Sequence, residues 1–238
     1  KVRAWMDKMQ IIDCIINEIC YKYERIMDMR LKITLKVCAN DVFLYEGYQE
    51  HILLYFQGLF NNSHLSITDF LSPRKIKTDK GIWLIDKANI IICSPFLGSF
   101  LKQILYLPGK HLEIQGNMLV IDNVRLYRQE TLYKGILLSG VFSHKDGVFL
   151  EYEKSPEMFS EYLRLNLIEV YKTVNKKEPD DKRFFIGLNG GCRKQYILGI
   201  PMYEGIYEIF GSPELCSIFN ECFVTGKIGT KSQQARND

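Results

Sequence analysis

The sequence has 238 residues, of which 47% are hydrophobic and 25% are charged. This composition is typical of a globular protein and excludes a chain that is disordered throughout. The formal net charge of only +3 does not indicate a nucleic-acid partner, so such a function must follow from where the basic residues lie. The length suits one large domain or two of roughly a hundred residues each.

The seven cysteines form no CxxC pair, and most of them lie in apolar runs, as free buried thiols do. They predict a reducing, cytoplasmic compartment. No apolar run reaches the roughly 18 residues of a membrane helix, so we expect no membrane partner. The chain begins at Lys1 without a signal peptide, which we interpret as a trimmed piece of a longer protein, with Met29 as an alternative natural start.

Residues 1–28 form the first predicted unit, because the isoleucines of 4–28 recur on one face of an amphipathic helix. This helix either packs on the following domain or connects to another module or partner. From Met29 to Val37, polar and apolar residues alternate strictly, as in a half-buried strand. A loop to Leu44 and a helix over 45–60 are expected next.

The later segments repeat this plan. The first half continues with a polar and basic stretch at 61–81, strands at 82–85 and 89–93, a helix at 94–105, and a hairpin of 112–114 with 118–126. The second half is expected to contain a hairpin of 135–144 with 147–152, a helix at 155–174, strands at 183–188, 195–202 and 206–210, and a helix from 212.

Each half therefore has the order strand, helix, strands, helix, strand. This order predicts an α+β fold of two tandem ferredoxin-like domains, 29–128 and 129–238, preceded by the N-terminal helix. Three helices that open with Ser-Pro, at Ser94, Ser155 and Ser212, support an internal duplication.

A basic, glycine-rich loop follows the last helix. Glycine lets a backbone approach another chain closely and lysine attracts phosphate, so the loop favours RNA binding. Two other basic clusters precede it, and solvated loops or a tight turn at 190–194 are the alternative interpretations. The candidate RNA-binding residues are Arg74, Lys77, Arg193, Lys194, Gly226, Lys227, Gly229 and Lys231.

The segments MRLKITLKV, YEGYQEHILLYFQGLF, IIICSPFLGSFLKQIL and SPEMFSEYLRLNLIEVY, followed by the glycine-rich end, resemble a known family in their order. They are similar to the CRISPR-associated repeat-RNA-processing endoribonucleases of the RAMP superfamily, as a divergent member. The resemblance covers about residues 29–234. It implies two ferredoxin-like (RAMP/RRM-like) domains and cleavage without a metal or another cofactor.

In this family the 2′-hydroxyl of the RNA attacks the adjacent phosphorus and leaves a 2′,3′-cyclic phosphate. The reaction needs a base, an acid and a cation. The resemblance implies Tyr55 and Lys75 as catalytic residues, and His64 is the histidine in the matching stretch. The family's own histidine position falls on Ser72, and the family's closing GFG is replaced after Lys231. A core aromatic for Tyr55 and a solvated loop for Lys75 are the alternatives.

Two functions follow from these residues. The first is a metal-independent endoribonuclease that cuts CRISPR repeat (precursor crRNA) to guide RNA for antiviral defense. The alternative is a catalytically inactive RAMP-type RNA-binding or scaffold module of a CRISPR complex or fusion protein. The expected partner is CRISPR repeat RNA, while other Cas proteins, a fused domain or a homodimer stay open. The sequence lacks HxH and HExxH spacings, which disfavours a metallonuclease.

Overall fold

The computed structural model describes residues 29–61, 64–72, 75–189 and 192–228, so the helix predicted over 1–28 lies outside the described residues. The first half contains a six-stranded antiparallel sheet with the order β2-β4-β1-β6-β5, and β3 also pairs with β4. Its elements are β1 (Met29–Tyr45), α1 (Tyr48–Phe60), β2 (Ser66–Ile67), β3 (Lys75–Thr78), β4 (Gly81–Cys93), a 3₁₀ helix (Leu97–Phe100), α2 (Leu101–Leu105), β5 (His111–Ile114) and β6 (Asn117–Arg128).

The second half contains a five-stranded sheet with the order β10-β12-β7-β13, in which β11 pairs with β12. Its elements are β7 (Lys134–Val141), β8 (His144–Lys145), β9 (Val148–Phe149), α3 (Pro156–Asn175), β10 (Phe184–Leu188), β11 (Arg193–Ile197), β12 (Ile200–Gly211), α4 (Pro213–Cys222) and β13 (Thr225–Gly226). Among the helices of the described residues, none is long and apolar enough to cross a membrane.

Both sheets have the ferredoxin-like arrangement. In each half the first strand lies inside the sheet: β1 lies between β4 and β6, and β7 lies between β12 and β13. Two helical segments connect the strands in each half, and each half has its own apolar core. The predicted α+β class of two tandem ferredoxin-like folds is therefore confirmed.

The strand β1 shows why alternation specifies a face. Leu31, Ile33 and Leu35 are buried against the helices, whereas the residues between them lie on the opposite face of the sheet. The predicted loop to Leu44 is wrong, because β1 continues through an irregularity between Lys36 and Asp41 to Tyr45. Beyond this β-bulge every second residue of the strand again faces the apolar core.

The two strands predicted at 82–85 and 89–93 are one strand, β4. Between them, Asp86 has a positive φ of 64° and lies opposite the bulge in β1. Aspartate tolerates this conformation better than most residues. Asp86 is therefore part of a matched irregularity in two paired strands.

Three further expectations are corrected. The predicted hairpin of 135–144 with 147–152 is wrong, because β7 pairs with β12 and β13 and only the two-residue strands β8 and β9 form a hairpin. The strand predicted at 195–202 is two strands that turn at Leu198 and Gly199, both with positive φ. The helix predicted at 94–105 is a 3₁₀ helix that runs into α2.

The Ser-Pro signals correctly place the starts of α3 and α4. The Ser155 hydroxyl accepts a hydrogen bond from the Met158 amide at 3.4 Å, and the Ser212 hydroxyl accepts one from the Leu215 amide at 3.1 Å. These bonds satisfy amides that would otherwise lack an acceptor at the first helical turn.

A small apolar cluster joins the two halves. Ile91 and Cys93 of β4 pack against Leu138 of β7 and against Val224. Burial raises the pKa of the Cys93 thiol to about 11, as expected for an inert core thiol. We refer to these four residues as the junction.

The hydroxyl of Ser139 forms hydrogen bonds at the junction, one of which connects the two halves. It accepts the hydrogen bond of the Ser66 hydroxyl from the first half and that of the Val224 amide at 2.9 Å. Leu138 also donates its amide to the Val224 carbonyl at 2.8 Å. The edge strand β2 is thereby fixed against β7.

Replacing this hydroxyl should destabilise the protein. We expect Ser139→Ala to lower the free energy of unfolding by about 1–3 kcal/mol, because the buried Val224 amide loses its acceptor. Urea denaturation measures the change. The control is Ser99→Ala, whose exposed hydroxyl donates only to the Phe96 carbonyl and should change stability by less than about 0.5 kcal/mol. Equal midpoints for the two variants would contradict the role of Ser139.

Candidate nucleic-acid interface between the two halves

A cleft of about 550 Å³ lies between the two halves. On the side of the first sheet it is lined by α1, by the segment around β2 and by β3. On the opposite side it is lined by α3 and by parts of β7, β8, β11 and β12. The lining residues with ionisable side chains are His64, Asp69, Lys77, His144, Glu169, Arg193, Glu204 and Cys222.

Two imidazoles line this cleft, one from each half. His64 precedes β2, is exposed and has its ring centroid 5.5 Å from that of Phe96. His144 opens β8, is half-buried and has its ring centroid 6.2 Å from that of Phe149. Imidazole can accept and donate protons near neutral pH. The cleft therefore contains two groups suited to acid–base chemistry.

Two cations in the lining are available to a ligand. Lys77 of β3 and Arg193 of β11 are exposed, and within the described residues neither side chain forms a hydrogen bond or an ion pair. The two belong to different halves. A phosphate chain in the cleft could therefore contact both halves at once.

The acids of the lining already have polar partners. Glu204 accepts a hydrogen bond from the Gln195 amide nitrogen at 2.8 Å, and Glu169 pairs with Lys172 at 3.1 Å. Asp69 pairs with Lys75 at 2.7 Å and also accepts the Tyr48 hydroxyl. Asp69 and Glu169 are paired with lysines that do not line the cleft, whereas Lys77 and Arg193 form no ion pair with a described residue, so the lining can accommodate an anionic group.

Lys75 is held within the first half. Its ammonium bonds Asp69 Oδ2 and, at 2.8 Å, the Phe70 carbonyl, and it is not among the residues that line the cleft. Burial, together with the Asp69 carboxylate, raises the pKa of Tyr48 in the same network. The catalytic role of Lys75 stays a prediction, and in this conformation its charge is offset by Asp69.

Tyr55 lies on the side of α1 that contacts β5, and it does not line the cleft. Its hydroxyl donates to the His111 carbonyl of β5 at 3.1 Å, and partial burial raises its pKa. The strand β5 is at the sheet edge opposite to β2, so Tyr55 is not brought together with His64. Its catalytic role also stays a prediction.

The remaining predicted RNA-binding residues are not gathered in the cleft. Lys194 pairs with Glu151 at 2.9 Å, which raises the pKa of its ammonium. Gly226 is buried and pairs with Ile136 of β7, and its carbonyl lies 2.6 Å from where a Cβ of Gly135 would be, so the close packing there requires a glycine at position 135. Lys227 is exposed beside it. Arg74, Gly229 and Lys231 lie outside the described residues.

Sequence reasoning did not select His144. It stands in a short hairpin after the second half's first strand, and nothing in its neighbours marks it as functional. Only the docking of the two halves places it in the same cleft as His64. Within the described part of the chain, no group of three or more His, Cys, Asp or Glu side chains could hold a metal ion.

Comparison with known proteins identifies the fold. No family model and no curated protein matches the sequence, but solved structures do. A structure described as "CRISPR associated protein Cas6" has a TM-score of 0.65 at 16% identity and covers 87% of this chain and 95% of its own. "An RAMP protein binding different RNA substrates" has a TM-score of 0.63 at 18% identity and covers 84% and 95%.

A third structure gives the same result. A Cas6-related gene product from Pyrococcus furiosus has a TM-score of 0.60 at 19% identity, and the match covers 84% of this chain and 94% of that one. The chain therefore has the fold of Cas6 and RAMP proteins over most of its length, at a low identity that fits a divergent example of the fold. This confirms the fold that the sequence resemblance implied.

Proposed function

We propose that the chain is a divergent Cas6-type protein whose cleft binds CRISPR repeat RNA and cleaves it without a metal ion. The single observation that supports this proposal most is the composition of the cleft. His64 and Lys77 from the first half line the same cavity as His144 and Arg193 from the second half, in a chain with the Cas6 fold. Two imidazoles and two cations are the groups that RNA transesterification needs.

The proposed step uses only the RNA and these side chains. One imidazole takes the proton of the 2′-hydroxyl as the 2′ oxygen forms a bond to phosphorus. The bond from phosphorus to the 5′ oxygen breaks, and the other imidazole, in its protonated form, gives a proton to that oxygen. Lys77 and Arg193 stabilise the negative charge on the phosphorane. The products are a 2′,3′-cyclic phosphate and a free 5′-hydroxyl.

A second candidate is an RNA-binding or scaffold module that does not cut. It is favoured by the positions of Tyr55 and Lys75, which are engaged with the protein itself. It is favoured also by Ser72 at the family's histidine position, where the hydroxyl donates to the Lys87 carbonyl. Binding in the cleft is common to both candidates, so the assays below separate the cleavage step from the binding step.

The first test is cleavage of a CRISPR repeat RNA in EDTA. We expect a 2′,3′-cyclic phosphate product, and a 2′-deoxy nucleotide at the scissile position should block the cut without weakening binding. His64→Ala and His144→Ala should each reduce the single-turnover rate about 10²- to 10⁴-fold, the usual contribution of a proton-transfer group. His51→Ala is the control, since this exposed histidine of α1 is not a lining residue.

Two outcomes would change the conclusion. Tight binding by the unaltered protein without any product would reject the endoribonuclease and leave the binding module. Cleavage that is equally fast in His64→Ala and in the control would remove His64 from the proposed step.

The second test concerns Tyr55. We expect Tyr55→Phe to cleave within about threefold of the unaltered protein, because its hydroxyl bonds a backbone carbonyl at the far sheet edge and so cannot join the proton transfer. Single-turnover kinetics with the same RNA measure this. A loss of 10²-fold or more, with unchanged folding by circular dichroism, would instead support the catalytic role that the resemblance implies.

The third test concerns phosphate contacts. The double variant Lys77→Gln with Arg193→Gln should bind repeat RNA more weakly, and the slope of log affinity against log salt should become shallower by about 1.4, from two lost contacts to single-stranded phosphate. Fluorescence anisotropy at several salt concentrations gives this slope. The matched control is Lys110→Gln with Lys154→Gln, two exposed lysines outside the cleft, and equal slopes in both double variants would refute the contacts.

A further inference from the structure

The face of the first sheet opposite its helices carries an exposed aromatic cluster. Phe43 of β1 has its ring centroid 5.0 Å from those of Tyr45 and Trp83. Trp83 of β4 is 41% exposed, Tyr45 is 61% exposed and Ile76 of β3 is 56% exposed. In the strand register Phe43 is opposite Trp83, which is opposite Ile76. We call Phe43, Tyr45, Trp83 and Ile76 the aromatic platform.

The platform is distinct from the cleft. Residues of β1 and β4 that alternate with Phe43 and Trp83, such as Leu44 and Leu84, are buried under the helices, and the cleft is lined on that side by α1. Since successive side chains of a strand point to opposite faces, the platform lies on the other face. None of its residues lines the cleft.

Basic and amide side chains extend the same face toward the junction. Lys32 is opposite Arg125, and Lys36 is opposite Lys87. Lys87 is paired with Asp122 at 2.7 Å. In contrast, Lys32, Lys36 and Arg125 form no ion pair with any described residue, and of these Lys36 helps to lower the pKa of the Asp122 carboxyl.

Amide groups and two acids complete the surface. Thr34 lies opposite Asn89 on one side and Asn123 on the other, and its hydroxyl bonds Asn89 Oδ1 at 2.8 Å. Asp41 and Asp86 lie at the bulge, between the aromatic platform and the basic residues. The face thus offers rings at one end and cations with amides at the other.

We infer that this face binds a single-stranded segment of RNA, separately from the cleft. Exposed rings on β1 and β4, two adjacent inner strands of the six-stranded first sheet, are suited to stacking unpaired bases. Nearby lysines and an arginine suit the phosphates between those bases. The free charge is what favours a nucleic acid over an apolar protein partner, which would leave Lys32, Lys36 and Arg125 without a complement. The inference does not depend on cleavage in the cleft.

The chain offers a direct probe of this site. It contains two tryptophans, Trp5 and Trp83, so the Trp5→Phe variant of the full chain reports from Trp83 alone. We expect a 12-nucleotide oligouridylate to quench this fluorescence in a saturable way. Tripolyphosphate and a blunt RNA duplex should not quench it, because neither offers an unpaired base to stack. The quenching should persist when Lys77→Gln and Arg193→Gln are added.

Affinity measurements separate stacking from general apolar contact. Trp83→Leu and Tyr45→Leu should each weaken binding of the labelled oligouridylate about five- to hundredfold, whereas Trp83→Phe should stay within a fewfold of the unaltered protein. Tyr133→Leu is the control, since Tyr133 is 47% exposed on the second half.

The inference is overturned if saturating oligouridylate leaves the Trp83 emission unchanged, or if Trp83→Leu binds as well as Trp83→Phe. If the Trp83 emission responds to a bound protein and not to RNA, the face is assigned to a protein partner instead. If oligouridylate quenches the Trp83 emission as expected but the protein does not cleave repeat RNA, the proposed reaction is rejected and the RNA-binding site on this face is still supported.

Discussion

The packing of β7 and Val224 against β4 is the constraint on which the rest of the molecule depends. Each half has its own core and its own sheet, so each could bury its helices without the other. The junction removes Ile91, Leu138 and Val224 from water, and the buried Ser139 hydroxyl satisfies a backbone amide there. An unmade hydrogen bond at such a place costs more than a surface contact gives. This packing therefore defines one arrangement of the two sheets.

That arrangement creates two different surfaces on the first half. On the helical side the cleft gathers imidazoles and cations from both halves. On the open side the strand alternation leaves Trp83 and Tyr45 exposed, with basic residues between them and the junction. Both surfaces suit RNA for different reasons. The cleft suits a charged phosphate chain and proton transfer, and the platform suits unpaired bases.

The polar network beneath the cleft supports the proposal of an anionic ligand. Asp69 is satisfied by Lys75 and Tyr48, so its negative charge is largely offset within the first half. Lys77, two residues further along β3, lines the cleft with no partner among the described residues. One lysine of this strand thus stabilises the fold and the other is available for binding. The same chain segment serves both purposes because the two side chains have different neighbours.

The sequence by itself determined the ferredoxin-like order, the face of β1 and the starts of α3 and α4, because alternation and Ser-Pro caps are local patterns. It also indicated His64, Lys77 and Arg193 as candidates. Only the tertiary structure decided that β4 is one strand through Asp86, that Lys75 is paired, and that His144 lines the same cleft as His64. These features depend on contacts between residues far apart in the chain, whose relative positions follow from the docking of the two halves, and no local pattern encodes that docking.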